Sequence, residues 1–162
     1  MMQFTSVSRV VVFLLALALP AVAGKPIIVI NPFTGAVIPA AGGCGTFNVI
    51  LTPEPGKPNG GKVIVFANSE IFSGPVFVTA TNFSTGKAIN LNISGPGTFS
   101  VTDNTFVLVG PTLGILPANL VPPGLPPISF ATGRTVLQFD ASGNITSISF
   151  NGTAQDLCQL LQ

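Results

Sequence analysis

From residue 44 onward, apolar and polar positions alternate with a period of two, and clusters of Gly, Pro, Asn and Asp interrupt the alternation at short intervals. The run at 87–94 (KAINLNIS) shows it most cleanly. Ile89, Leu91 and Ile93 fall on one face, and Asn90, Asn92 and Ser94 on the other. Similar runs occur at 46–52, 62–68, 75–83, 98–102, 105–110, 134–140 and 144–151. β-Branched and aromatic runs bounded by turn formers are the signature of strands. About eight of them at this spacing predict an all-β fold: a single antiparallel β-sandwich or barrel. The stretch 154–161 (AQDLCQLL) is expected to form a short C-terminal helix whose leucines cover one end of the sheet.

One segment breaks the pattern. Residues 111–128 (PTLGILPANLVPPGLPPI) contain six prolines and no charge. Proline removes ladder donors and disfavours a central strand, so this segment is expected to be the longest connection in the domain. Disordered segments are low in hydrophobicity, which argues for an ordered crossover. Its Leu113, Ile115, Leu116, Leu120, Val121, Leu125 and Ile128 would then cap the open end or edge of the sheet. The alternative is an exposed contact surface for a partner.

The N-terminus carries a different pattern. Arg9 precedes an apolar run at 10–19, Pro20 ends it, and Ala21-Val22-Ala23 supplies small residues at a cleavage site. That is the layout of a secretory signal peptide, and the run is about half of what a membrane span requires. The expected organisation is a signal over 1–23, an extended N-terminal segment over 24–43 and a β domain over 44–162. No membrane span is expected once the signal is removed, and the product is expected outside the cell.

Charge and cysteine content fit that picture. Charged residues make up 7% of the chain and the formal net charge is +1. With no basic patch, nucleic-acid binding lacks its main source of affinity. Two cysteines in an exported chain most often pair, so a Cys44–Cys158 disulfide is expected to staple the C-terminal helix to the first strand. Four Asn-x-Ser/Thr sequons, at Asn82, Asn92, Asn144 and Asn151, are candidate glycosylation sites. By alternation Asn92 and Asn151 point outward and Asn144 sits in a turn. Asn82 is ambiguous, because it shares a face with Val76 and Val78.

The chain contains no His, Trp or Tyr. Nucleophilic triads therefore lack their usual base, and zinc and copper sites lack their commonest ligand. No metal or cofactor is expected. Ser84-Thr85-Gly86-Lys87 has the spacing of a Ser-x-x-Lys nucleophile pair, but it reads as a turn between strands. Two carboxylates would suffice for glycoside hydrolysis. However, Glu54, Glu70, Asp103, Asp140 and Asp156 each read more simply as turn, strand-end or helix-end residues. Calcium ligation by Asp103-Asn104 or Asp140-x-Ser142-x-Asn144 lacks EF-hand spacing.

Thr85-Gly86-Lys87, Ser94-Gly95-Pro96-Gly97, Thr132-Gly133-Arg134, the turn at 140–144 and Asp156-Leu157-Cys158 together resemble an uncharacterised family of small exported proteins of actinobacteria and filamentous fungi. The resemblance covers roughly residues 81–161. It implies export and a β-rich domain, and it transfers no catalytic residues. It singles out Arg134, expected at the start of a strand and paired with a nearby acid.

The expected function is therefore a non-catalytic secreted protein, a surface, matrix or interaction module whose partner is an unknown protein. The alternative is a small β-barrel carrier whose Phe-rich interior holds an apolar small molecule. A carboxylate-pair glycoside hydrolase is the minor alternative.

Overall fold

A computed structural model describes residues 26–30 and 32–162. The expected signal peptide at 1–23 lies outside the described residues. Eleven strands occur among the described residues, in two sheets whose pairings are all antiparallel. The all-β expectation holds. The barrel does not, because neither sheet closes, and eleven strands replace the expected eight.

The strands are β1 (Ile27–Ile30), β2 (Ala36–Ile38), β3 (Val49–Pro53), β4 (Lys62–Val65), β5 (Ser69–Ser73) and β6 (Phe77–Asn82). They continue with β7 (Ala88–Asn92), β8 (Gly97–Ser100), β9 (Thr105–Ile115), β10 (Ile128–Phe139) and β11 (Ile145–Asp156). The larger sheet has the order β1-β4-β5-β8-β9-β10-β11, and the smaller one β2-β3-β6-β7. Three strands escape the alternation. β1 and β2 have four and three residues, and β5 (SEIFS) carries a glutamate as its second residue. Two stretches of the expected N-terminal extension are thus paired into the sheets, one in each.

A helical turn, α1 (Leu157–Leu160), closes the chain. It is shorter than the expected 154–161, because Ala154, Gln155 and Asp156 still pair with β10 as the end of β11. Asp156 is its N-cap, its side chain accepting from the backbone N–H of Cys158 at 2.8 Å. That satisfies a donor the first turn would leave open.

The proline segment also divides differently from the expectation. Pro111–Ile115 belong to β9 and Ile128 opens β10, leaving a loop over 116–127. Pro111 is tolerated in a central strand for a local reason. Its carbonyl accepts from Gly95 N–H on the side away from β10. A residue's N and C=O point to the same side of a strand, so the missing N–H faces away from β10 and costs no ladder bond there.

The core lies where the smaller sheet packs on the upper ends of β9, β10 and β11. Val49, Leu51, Val78 and Ala80 from the smaller sheet meet Ile128, Leu157 and Leu161 there, all at most 3% exposed. Cys44 and Cys158 pack at its margin and form the expected disulfide, with 5.3 Å between Cα atoms.

The three long strands are divided by a line of glycines. Gly110, Gly133 and Gly152 are direct cross-strand partners. Gly133 has φ +147°, and a Cβ there would lie 2.3 Å from Asn151 O. Only glycine fits. Beyond this seam, toward the core, Ile128, Ser129 and Ala131 are all buried, so β10 is covered on both faces. On the other side only Thr135, Leu137 and Phe139 are buried.

Candidate contact surface

Below the seam the larger sheet continues across seven strands and carries an apolar face. One row runs Val29, Val63, Phe72, Gly97, Leu108, Thr135, Phe150. The next runs Ile27, Val65, Glu70, Phe99, Phe106, Leu137, Ile148. Phe72 and Phe106 meet edge to face at 5.2 Å, and Phe99 and Phe139 at 6.0 Å. The Phe106 ring lies over Gly97, where a Cβ would come within 2.7 Å of it. Glu70 is the one charge in these rows, and burial pushes its carboxyl above the ordinary value.

These rows end at β1, the outermost strand. Ile27, Ile28, Val29 and Ile30 are 49%, 59%, 46% and 66% exposed. Among the described residues β1 pairs only with β4, so its outer backbone edge has no neighbour. Edge strands are normally blunted by Lys, Pro, a bulge or a cover. β1 has no charge and no proline within it. At the same end lie exposed Phe66, which follows Val65 of β4, and Val101, whose N–H donates to Asn68 O in the turn beside it. Composition reveals IIVI as strand-forming. That it is an edge depends on pairing with residues some 35 positions away, which alternation does not encode.

Beside β4 and β5, where the two sheets approach, an open groove of about 180 Å³ is lined by Val63, Phe72, Val76 and Ile93 together with exposed Lys62.

The proline segment turns inward instead. Leu125 and Ile128 are buried, Leu113 packs against the core, and Leu116, Leu120 and Val121 are half-buried. Ile115 alone of the seven is exposed, at 39%. The turn at 118–120 packs against β11. Of the seven, only Leu113 and Ile128 reach the core, and both do so as strand residues.

The sequons separate sharply. Asn82 is 2% exposed. Its Nδ2 donates to Leu161 O at 3.1 Å, and its Oδ1 accepts from the N–H groups of Ser84 and Thr85. The face it shares with Val78 and Ala80 is the core face. Asn92, Asn144 and Asn151 are exposed.

Four of the five acids are engaged in hydrogen bonds, and Asp103 and Asp140 lie at the same end of the β9–β10 pair. Glu54 accepts from Asn90 Nδ2, and Asp103 from Ser100 Oγ at 2.9 Å. Asp140 accepts from Asn144 Nδ2 at 3.0 Å and from the N–H groups of Ser142 and Asn144. These bonds, led by the Asn144 side chain, hold its carboxyl below the ordinary value. Among the described residues no group of three His, Cys, Asp or Glu is placed to hold a metal. Ser84 and Lys87 lie in the β6–β7 turn, where Lys87 N–H donates to Thr85 Oγ1. Arg134 is exposed within β10 rather than at its start, flanked by Val109 and Asn151.

Among the described residues no helix is long and apolar enough to cross a membrane. No protein-family model matches the chain, and neither the curated proteins nor the solved structures contain a match.

Proposed function

We propose that this is a non-catalytic, exported interaction module that engages another polypeptide by strand addition at β1. The observation that carries the reading is the outer edge of β1: four uncharged β-branched residues, exposed on both faces, continuing an apolar sheet. An added strand would gain main-chain hydrogen bonds from the edge and side-chain contacts from the rows beside it. The disulfide fits an oxidising location such as the outside of the cell. The acids support the non-catalytic part, because four of the five are engaged in hydrogen bonds and the fifth, Glu70, stands in an apolar row.

The test uses a labelled synthetic peptide with the sequence IIVI flanked by lysines, titrated with the full chain and followed by fluorescence anisotropy. Saturable binding is expected. Ile28→Lys, which places a charge on the edge without touching the core, is expected to abolish it while leaving the melting temperature unchanged. No binding by the parent chain, or equal binding by the variant, overturns the reading.

The apolar-carrier reading now rests on the groove between the sheets. It is open rather than enclosed, and its volume suits a group of about benzene size rather than a long chain.

A further inference from the structure

We infer that Asn92 and Asn151 are acceptors for N-linked glycan, and that Asn82, despite its sequon, is a structural residue that must remain unmodified. The three positions differ in what their amides do. Asn92 is exposed on β7, an edge strand of the smaller sheet, and its Oδ1 accepts from Ser94 N–H at 3.0 Å. Asn151 is exposed on β11, an edge strand of the larger sheet. Among the described residues neither Nδ2 donates a hydrogen bond, so both are free to carry a sugar. The Asn82 Nδ2 is committed to Leu161 O, 79 positions away, inside the core. The proposal leaves Asn144 out, because a sugar there would compete in the folded chain with the bond its Nδ2 donates to Asp140.

The transfer requires a lipid-diphosphate-linked oligosaccharide as donor. The Asn Nδ2 attacks C1 of the reducing sugar and the N–C1 bond forms. The C1–O bond to the diphosphate breaks, the lipid diphosphate leaves with the electron pair, and Nδ2 gives up one proton. This happens on a chain that has not finished folding, when all sequons are accessible. Folding then selects: a chain carrying sugar on Asn82 cannot bury that side chain or close the contact with Leu161.

The placement has a physical consequence. Among the described residues β7 and β11 each lack a neighbour on one side, and β11 is twelve residues long. A glycan stemming from an edge strand occupies the space a second strand would need, which is one way to protect an edge from unwanted pairing. The acceptors do not depend on what β1 binds.

The full chain secreted from a eukaryotic host decides the matter. Enzymatic release of glycan in heavy-oxygen water tags each formerly occupied Asn for peptide mass spectrometry. Tags at Asn92 and Asn151, with Asn82 untagged, are expected. Asn92→Gln and Asn151→Gln should each remove one step of gel mobility. Ser84→Ala destroys the Asn82 sequon but keeps the amide and the Ser84 N–H, and should leave mobility unchanged. An empty Asn92 or Asn151, a tag on Asn82, or a mobility shift in Ser84→Ala overturns the inference.

Discussion

The two sides of the Gly110–Gly133–Gly152 seam are built from the same three strands with the same alternation, yet they end in different environments. On the core side the smaller sheet, α1 and the disulfide converge, and Val49, Val78, Leu157 and Leu161 are fully buried. On the far side an equally apolar face, rich in Phe, stays mostly half-buried, and β1 at its margin is exposed. Alternation creates an apolar face but does not supply its cover. Stability should follow the cover, and binding capacity should follow its absence.

The largest test of that contrast is the disulfide. It closes a loop of sequence separation 114 around the covered side. Cys44→Ser with Cys158→Ser is expected to cost about 4–5 kcal/mol in the chain-entropy model, measured by urea unfolding against the oxidised parent. A loss below about 1 kcal/mol would show that packing alone holds this side.

Next comes a matched pair of truncations. Leu157→Ala removes a side chain with no exposure and is expected to cost about 3 kcal/mol. Ile30→Ala removes one that is 66% exposed and should stay within about 0.5 kcal/mol. Equal losses in urea titrations would erase the distinction between the two sides.

The smallest effect sharpens the picture of the far side. Burial raises the folded pKa of Glu70 above 4.5, so its ionised form weakens the fold. Glu70→Gln is expected to raise the melting temperature slightly at neutral pH. The gain should shrink as pH falls through the folded pKa and vanish below 4.5, where Glu70 is protonated in folded and unfolded chains alike. A gain independent of pH would assign the effect to packing instead.

Much of this architecture was readable in the chain. The centres of β3, β4 and β6 to β11 follow from period-two runs, and the pairing of Cys44 with Cys158 follows from their count. The conflict at Asn82 was visible as a sequon sharing a face with Val78. What alternation could not show is non-local. Gly110, Gly133 and Gly152 read as separate turn formers, and only the register aligns them. Pro111 argued against a strand until the direction of its backbone was known. β1 and β2 are too short to display a period, and an edge is defined by which strand fails to arrive beside it.

The position of the disulfide also decides how the molecule bears load. Tension applied at residues 44 and 158 is carried by a covalent bond, and the strands between them feel none of it. Residues 26–43 lie outside that closed loop. A pull on the N-terminal end therefore detaches β1 from β4 and then β2 from β3, drawing Ile38 out of the core, and stops at Cys44. The strand proposed here to receive a partner is thus also the first to be released under force.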